Sequence, residues 1–302
     1  MSSHSPRLQR LESLEGRDLP SAAFQTFPII PDNQAALDTA RAIAAVGLAD
    51  GRRTNAFMDI GDSNSAEFSP YAPGYLSPLG APGYNPVSSG LAASYPNLLS
   101  TLSTFQAPLP GGVNSFDHTS VAAVPGYRAI DVLGTYGEEL AITNAGVALI
   151  MIGTNDVDLQ TPTNTFTSEL QSLVHGLASA GVVPILSTIP DNEYLNNANE
   201  AATLNFNQVI ANVASQDNIP LWNEWLGLTA LPNHGLQSGG VHLTVSPNGG
   251  GALNPGDLLY GQNLRVAFVS FLRPEQRFSG VEPLVAQIWR DVEETRRILA
   301  PR

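Results

Sequence analysis

The 302-residue sequence contains no cysteine and no lysine. The first absence excludes disulfides, thiolate nucleophiles and cysteine-based metal centres, and leaves the compartment open. The second makes arginine the only source of the 14 basic residues, against 27 acidic ones, for a net charge of −13. An acidic chain without a basic run offers no footprint for a phosphate backbone or an anionic membrane surface, so nucleic acid is not an expected partner. No apolar run approaches the length of a membrane span, and no integral membrane segment is expected. Hydrophobic content is ordinary at 43%, and the length is ample for one large domain with a sizeable core.

What is present is a repeated pattern of short apolar runs that stop at polar, glycine-bearing turns. Ala56 to Ile60 stops at Gly61-Asp62-Ser63, which reads as a buried parallel strand meeting its C-terminal turn. Ligands of open α/β sheets bind outside the carboxyl ends of strands, so Ser63 stands where chemistry occurs. Taken alone, the tripeptide favours a plain helix N-cap at Ser63. His118 to Val124 reads as a second strand and is followed by Pro125-Gly126-Tyr127-Arg128. Gly126 there either lets a backbone N–H approach a ligand or makes an ordinary strand-to-helix turn. Gly146 to Ile152 is the clearest strand, and Gly153-Thr154-Asn155-Asp156 follows at once. The Asn155 amide is either a helix cap or a donor to a developing oxyanion. Val182 to Thr188 and Ile219 to Trp222 complete the strands.

Between them lie helical patterns: Asn33 to Ala49 with Asp32 available as cap, Pro96 to Phe105, Ala129 to Leu140, a stripe from Phe166 to Leu177 ending at Gly181, and Phe206 to Val213. Alternation of strand and helix predicts an α/β fold with a parallel sheet and helices on both faces. Three regions are expected: a tail over 1–33, a domain over 34–272, and a helical extension over 273–302. Tyr260 to Leu272 reads as a closing helix or a strand, and Leu284, Val285, Ile288, Trp289 and Val292 stripe a last helix. The segment 64–90 carries five prolines, which exclude a continuous helix or central strand. Its Tyr71, Tyr75 and Tyr84 either line a cleft or pin the loop to the body. The tail holds Arg7-Leu8-Gln9-Arg10-Leu11-Glu12-Ser13-Leu14-Glu15-Gly16-Arg17-Asp18-Leu19-Pro20-Ser21. This run is similar to a sorting-type motif on exported bacterial proteins, which points outside the cytoplasm. A small amphipathic helix or plain polar tail is the equal alternative, and a cytoplasmic location stays open.

Four short blocks occur in order: Gly61-Asp62-Ser63, Val124-Pro125-Gly126, Gly153-Thr154-Asn155-Asp156 and Gly240-Val241-His242-Leu243. In this order they resemble the SGNH, or GDSL-like, hydrolase family over roughly Asn55 to Leu272. The resemblance implies a three-layer α/β/α fold with a flavodoxin-like parallel sheet. It implies a serine ester hydrolase of esterase, lipase or acetyl-esterase type, with Ser63 forming the acyl-enzyme and His242 as general base. The Ser63 N–H, the Gly126 N–H and the Asn155 amide would receive the oxyanion. It implies no metal and no organic cofactor, and a small-molecule or saccharide ester as the bound partner. The oligomeric state is left open.

One position departs from the family pattern. An Asp is expected three residues before the histidine, and Gly239 stands there. That acid orients the imidazole and stabilises the imidazolium. Either the Gly239 carbonyl or Ser238 orients the ring, or Asp257 or Asp156 replaces the acid, or the chain is a catalytically impaired binding protein on the same fold. Among the other histidines, His234, in a Pro-Asn-His-Gly turn, reads as a surface residue or substrate contact. His118 and His175 read as structural, and His4 lies in the tail. A metal site at Asp59, Asp62 and Asp156 is disfavoured, because no His pairs with them at ligand spacing.

Overall fold

Among the described residues of the computed structural model, four strands run parallel in chain order: β1 (Arg53–Gly61), β2 (Ala145–Met151), β3 (Val183–Ser187) and β4 (Leu221–Trp222). The described helices are α1 (Gln34–Ala49) before β1, then α2 (Leu98–Phe105), α3 (Ala129–Thr143), α4 (Thr154–Asp158), α5 (Thr163–Ser179) and α6 (Asn197–Gln216) between the strands, and α7 (Glu224–Leu228) after β4. The structure describes residues 24–31, 33–66, 98–192, 197–236 and 240–243, with Pro283, Gln287, Arg290, Asp291 and Arg297. The expectations for the 1–23 tail, for Asp32, Tyr71, Tyr75, Tyr84, Ser238, Gly239 and Asp257, for the 260–272 element, and for the stripe from Leu284 to Val292 lie outside these residues.

Alternation along β1 explains the layers. Ala56, Met58 and Ile60 join the main apolar cluster with Ala148 and Ile150 of β2 and Leu186 of β3, the same side of the sheet by register. On that side α5 packs beside α3 and α6, burying Phe166, Leu170, Leu173 and Leu177, and Phe166 meets Phe206 of α6 with ring centroids 4.7 Å apart. Phe57 points the other way. It packs edge-on against Phe105 of α2 and Phe116, at centroid distances of 5.4 and 5.0 Å. Helix α1 lies across β1, β2 and β3. The result is a parallel sheet flanked by helices, as expected, with crossovers that a parallel sheet requires.

Two local expectations need correction. The cap of α1 is Asn33, whose side chain accepts from the N–H groups of Ala35 and Ala36 at 3.1 and 3.3 Å. His118 to Val124 is not a strand. Side chains capture its backbone instead: Ser120 Oγ donates to the Asp59 carbonyl at 2.7 Å and accepts from Ala122 N–H, while Val121 N–H goes to Glu139. Only Ala123 remains as an isolated parallel bridge to Gly61. The 153–156 and 223–228 turns also wind into the short helices α4 and α7, which apolar periodicity is too short to reveal.

The chain divides into two compact units, Met1–Tyr260 and Gly261–Arg302. The sheet belongs to the first. In the second the described residues are helical, and Gln287 links Arg290 to Asp291 through side-chain bonds of 3.0 and 2.8 Å.

Helix α1 approaches the α5–β3 turn so closely that a Cβ on Gly47 would sit 2.0 Å from the Gly181 carbonyl oxygen. Gly137 of α3 has nothing within 4 Å of its missing Cβ. Gly137→Ala therefore gains helix propensity and stabilises the fold by about 0.5–1 kcal/mol. Gly47→Ala gains the same propensity but must separate two backbones, for a net loss of about 2 kcal/mol. Urea denaturation midpoints of the two variants check the opposite signs.

Candidate active site

The turn after β1 is shaped by a close approach. A Cβ on Gly61 would lie 2.3 Å from both the Met151 carbonyl oxygen and Ser65 Oγ, so only glycine fits where β1 runs against β2. Beyond it the Asp62 carbonyl accepts from the N–H groups of Ser65 and Ala66 at 3.1 and 2.9 Å. The Asp62 carboxyl accepts from Asn64 N–H at 2.9 Å, an Asx turn. Ser63 is carried at the crest of this turn. Its hydroxyl reaches His242 Nε2 at 2.9 Å, across 179 residues of chain.

His242 is brought there by its own segment. Leu243 forms an antiparallel bridge with Leu236, and both pack with Leu228 in a small cluster separate from the main core. From the other side Asn64 Nδ2 donates to the Val241 carbonyl at 3.0 Å. The residue after the serine thus grips the residue before the histidine. Nothing in the sequence marks this bond, because its partners are 177 residues apart. Partial burial holds the His242 pKa below its ordinary 6.5, since the charged ring is poorly solvated there. At neutral pH the ring is a neutral base, able in its Nδ1–H tautomer to accept the serine proton.

Gly126 and Asn155 converge on the same edge through strand register. Gly61 pairs with Met151 of β2 and bridges to Ala123, so the turns after β1, after Ala123 and after β2 stand together. Gly126 has φ +88°. Asn155 Nδ2 donates to the Tyr127 carbonyl at 3.0 Å, which uses one of its two amide protons and leaves the other. Asp156 Oδ2 accepts from Ala129 N–H at the start of α3, at 2.9 Å. These neighbours on α4 together fasten the Gly126 turn. Among the described residues, the N–H groups of Ser63 and Gly126 meet no acceptor.

Asp156 forms no bond to His242 among the described residues. One of its oxygens holds Ala129 N–H at the start of α3, so the carboxylate is committed there and not to the His242 ring. His118 and His175 are paired with Glu139 and Asp217 at 2.9 and 3.1 Å. His234 keeps 46% of its side chain exposed, and its Nδ1 bonds the buried carboxylate of Asp191. Two further carboxyls are fully buried. Burial pushes Asp62 up to about 7, and burial pushes Glu224 up to about 8 with Asp62 adding to it. Each leaves one oxygen without a hydrogen-bond partner among the described residues. Because burial favours its neutral form, Asp62 beside Ser63 opposes negative charge on a substrate oxygen less than a solvated carboxylate would.

A model of the GDSL-like lipase/acylhydrolase family matches residues 60–246, more than half of the chain. A riboflavin kinase model matches only residues 238–299, too small a share to show that family. Among solved structures the chain is similar to a lipase/acylhydrolase from Enterococcus faecalis, at 22% identity over 62% of this chain and 86% of that one, TM-score 0.42. It is similar to a GDSL-like lipase from Bacteroides thetaiotaomicron, at 15% over 68% and 89%, TM-score 0.41. It is also similar to an acetylxylan esterase from Geobacillus stearothermophilus, at 19% over 64% and 87%, TM-score 0.43.

The buried carboxyls set a pH dependence of stability. In the unfolded chain Asp62 and Glu224 ionise near 3.8 and 4.5, and in the folded chain near 7 and 8. Between these limits the unfolded state releases protons that the folded state keeps, so their contribution is most favourable below about 4 and is lost as pH rises through 8. Glu224→Gln removes one share. It should narrow the loss of urea stability between pH 5 and pH 9 by on the order of 2–4 kcal/mol.

Proposed function

The chain belongs to the GDSL-like lipase/acylhydrolase family, and on that footing we propose that it is a serine hydrolase of carboxylic esters, acting on small-molecule or saccharide esters. One observation carries this reading: the 2.9 Å contact between Ser63 Oγ and His242 Nε2. A serine hydroxyl is a poor nucleophile until a base takes its proton, and a neutral imidazole at hydrogen-bond distance is that base.

In the first half-reaction Ser63 Oγ attacks the acyl carbon while its proton passes to His242 Nε2. The carbonyl oxygen becomes an oxyanion, received by the Ser63 N–H, the Gly126 N–H and the second amide proton of Asn155. His242 returns the proton to the leaving alcohol, and Ser63 holds the acyl group. Water, deprotonated by His242, then attacks the ester carbon, and as the second tetrahedral species collapses the acyl–Oγ bond breaks and His242 Nε2 returns its proton to Ser63 Oγ, freeing the acid and restoring the enzyme. Each step conserves the proton between Ser63, His242 and the two oxygens exchanged. The desolvation that keeps His242 neutral also opposes the imidazolium that must form, so a slow chemical step is expected.

Ser63→Ala and His242→Ala each reduce kcat for a short-chain aryl ester by about 10⁴-fold or more, and the double variant is no worse than either, because the two act as one unit. Asn155→Ala keeps the base but loses an oxyanion donor, at a cost of roughly 10²–10³ in kcat. Equal turnover by wild type and Ser63→Ala would leave a binding protein on a hydrolase fold. In wild type the acid limb of kcat/KM reports the free His242. Because the ring's pKa is lowered, activity persists as pH falls to the ordinary imidazole value of 6.5 and is lost below it; the pH profile of initial rates measures this.

A further inference from the structure

Among the described residues, the segment that presents His242 packs around a small core of its own. Three leucines, Leu228, Leu236 and Leu243, form its buried cluster, and the position where the family carries an orienting acid is Gly239.

Asp191 stands just beyond β3 and is 5% exposed. It is rigidly mounted. Two residues earlier, Ile189 gives its N–H and its carbonyl to the buried side chain of Asn207 on α6, at 2.7 and 2.9 Å. Both Asp191 oxygens have partners: Trp225 Nε1 donates to one at 2.5 Å, and His234 Nδ1 bonds the other. Trp225 is itself fixed, its ring edge-on to buried Phe24 at 5.2 Å. His234 sits with Asn233 in left-handed backbone, φ 47° and 51°, a conformation that a bulky residue holds only where its surroundings require it. The same turn ends in Leu236, whose N–H returns to the Asn233 carbonyl at 2.9 Å. Leu236 bridges to Leu243, the neighbour of His242.

We propose that Asp191 and His234 form a positioning pair for His242. The pair ties the outgoing limb of the histidine segment to the rigid end of β3, while Asn64 ties the returning limb through Val241. Neither residue touches the reacting atoms. Their contribution is to limit the motion of the segment that carries the imidazole. The proposal rests on the reading of Ser63 and His242 as the reacting pair.

The test uses the full chain with His234→Ala, His234→Gln and Asp191→Asn, read by aryl-acetate turnover, by the rate at which an organophosphonate labels Ser63, and by amide hydrogen exchange of the peptide carrying Val241 to Leu243. His234→Ala should lower kcat and the labelling rate together, by about tenfold and up to the roughly 100-fold that a displacement of about 1 Å costs. KM should stay within about twofold, and amide exchange in the peptide should quicken by roughly tenfold. Asp191→Asn should follow the same pattern. His234→Gln keeps a donor toward Asp191 and should recover most of both readouts. Unchanged exchange in His234→Ala overturns the proposal, even if kcat falls, because His234 would then act on substrate directly. Failure of His234→Gln to recover either readout overturns it too. If Ser63→Ala turns over ester as fast as wild type, the catalytic reading fails separately, and the exchange arm still decides whether the pair holds the segment.

Discussion

Everything at the site depends on how near two backbones come at Gly61. There β1 lies so close to β2 that a single methyl group would collide with the Met151 carbonyl. The same residue pairs with Met151 on one side and with Ala123 on the other. Three chain segments therefore end their pairing at one level of the sheet, and their turns carry Ser63, Gly126 and Asn155. Parallel pairing makes this possible, because all the carboxyl ends face one way. A wider residue would part the strands and with them the groups that the proposed chemistry requires within one reactant's reach.

The turns are fastened by side chains rather than by more sheet. Asp62 closes the nucleophile turn on Asn64, Asp156 holds the first N–H of α3, Asn155 holds Tyr127, and Asn64 reaches across to Val241. Such fastening has a cost. Asp62, Asp156 and Glu224 are removed from water beyond what their hydrogen bonds offset, and their protonation is favoured as a result. The fold tolerates this because the apolar layer beneath is continuous from Met58 through Leu173 to Ile210. Polar groups that would weaken an isolated turn are held in a low-dielectric edge, where they cannot relax toward solvent.

Where an element is long or its apolar run ends sharply, the chain declares it locally. Ala56 to Ile60, Gly146 to Ile152 and Val182 to Thr188 became β1, β2 and β3, shifted by a residue or more at their ends. The stripe from Phe166 to Leu177 became the buried face of α5. His118 to Val124 misleads because its apolar content is that of a strand while its backbone is captured by Ser120 and Glu139. Glu139 belongs to a helix that begins later in the chain, so a window around residue 120 contains only the Ser120 half of the cause. Asn33 caps α1 by position: its side-chain oxygen falls within reach of the first free N–H groups.

By itself the sequence determined the class of fold and the order of the strands' polar ends, since each rests on a short local pattern, and four short blocks that resemble a family's pointed to Ser63, Gly126, Asn155 and His242. Tertiary structure alone decided that Ser63 and His242 meet, that Asn64 holds Val241, that Asp156 is committed to α3 and that His234 is bound to Asp191. Those partners lie 179, 177, 27 and 43 residues apart. Separations of that size are set by the packing of whole helices on a sheet, which no local run of side chains encodes.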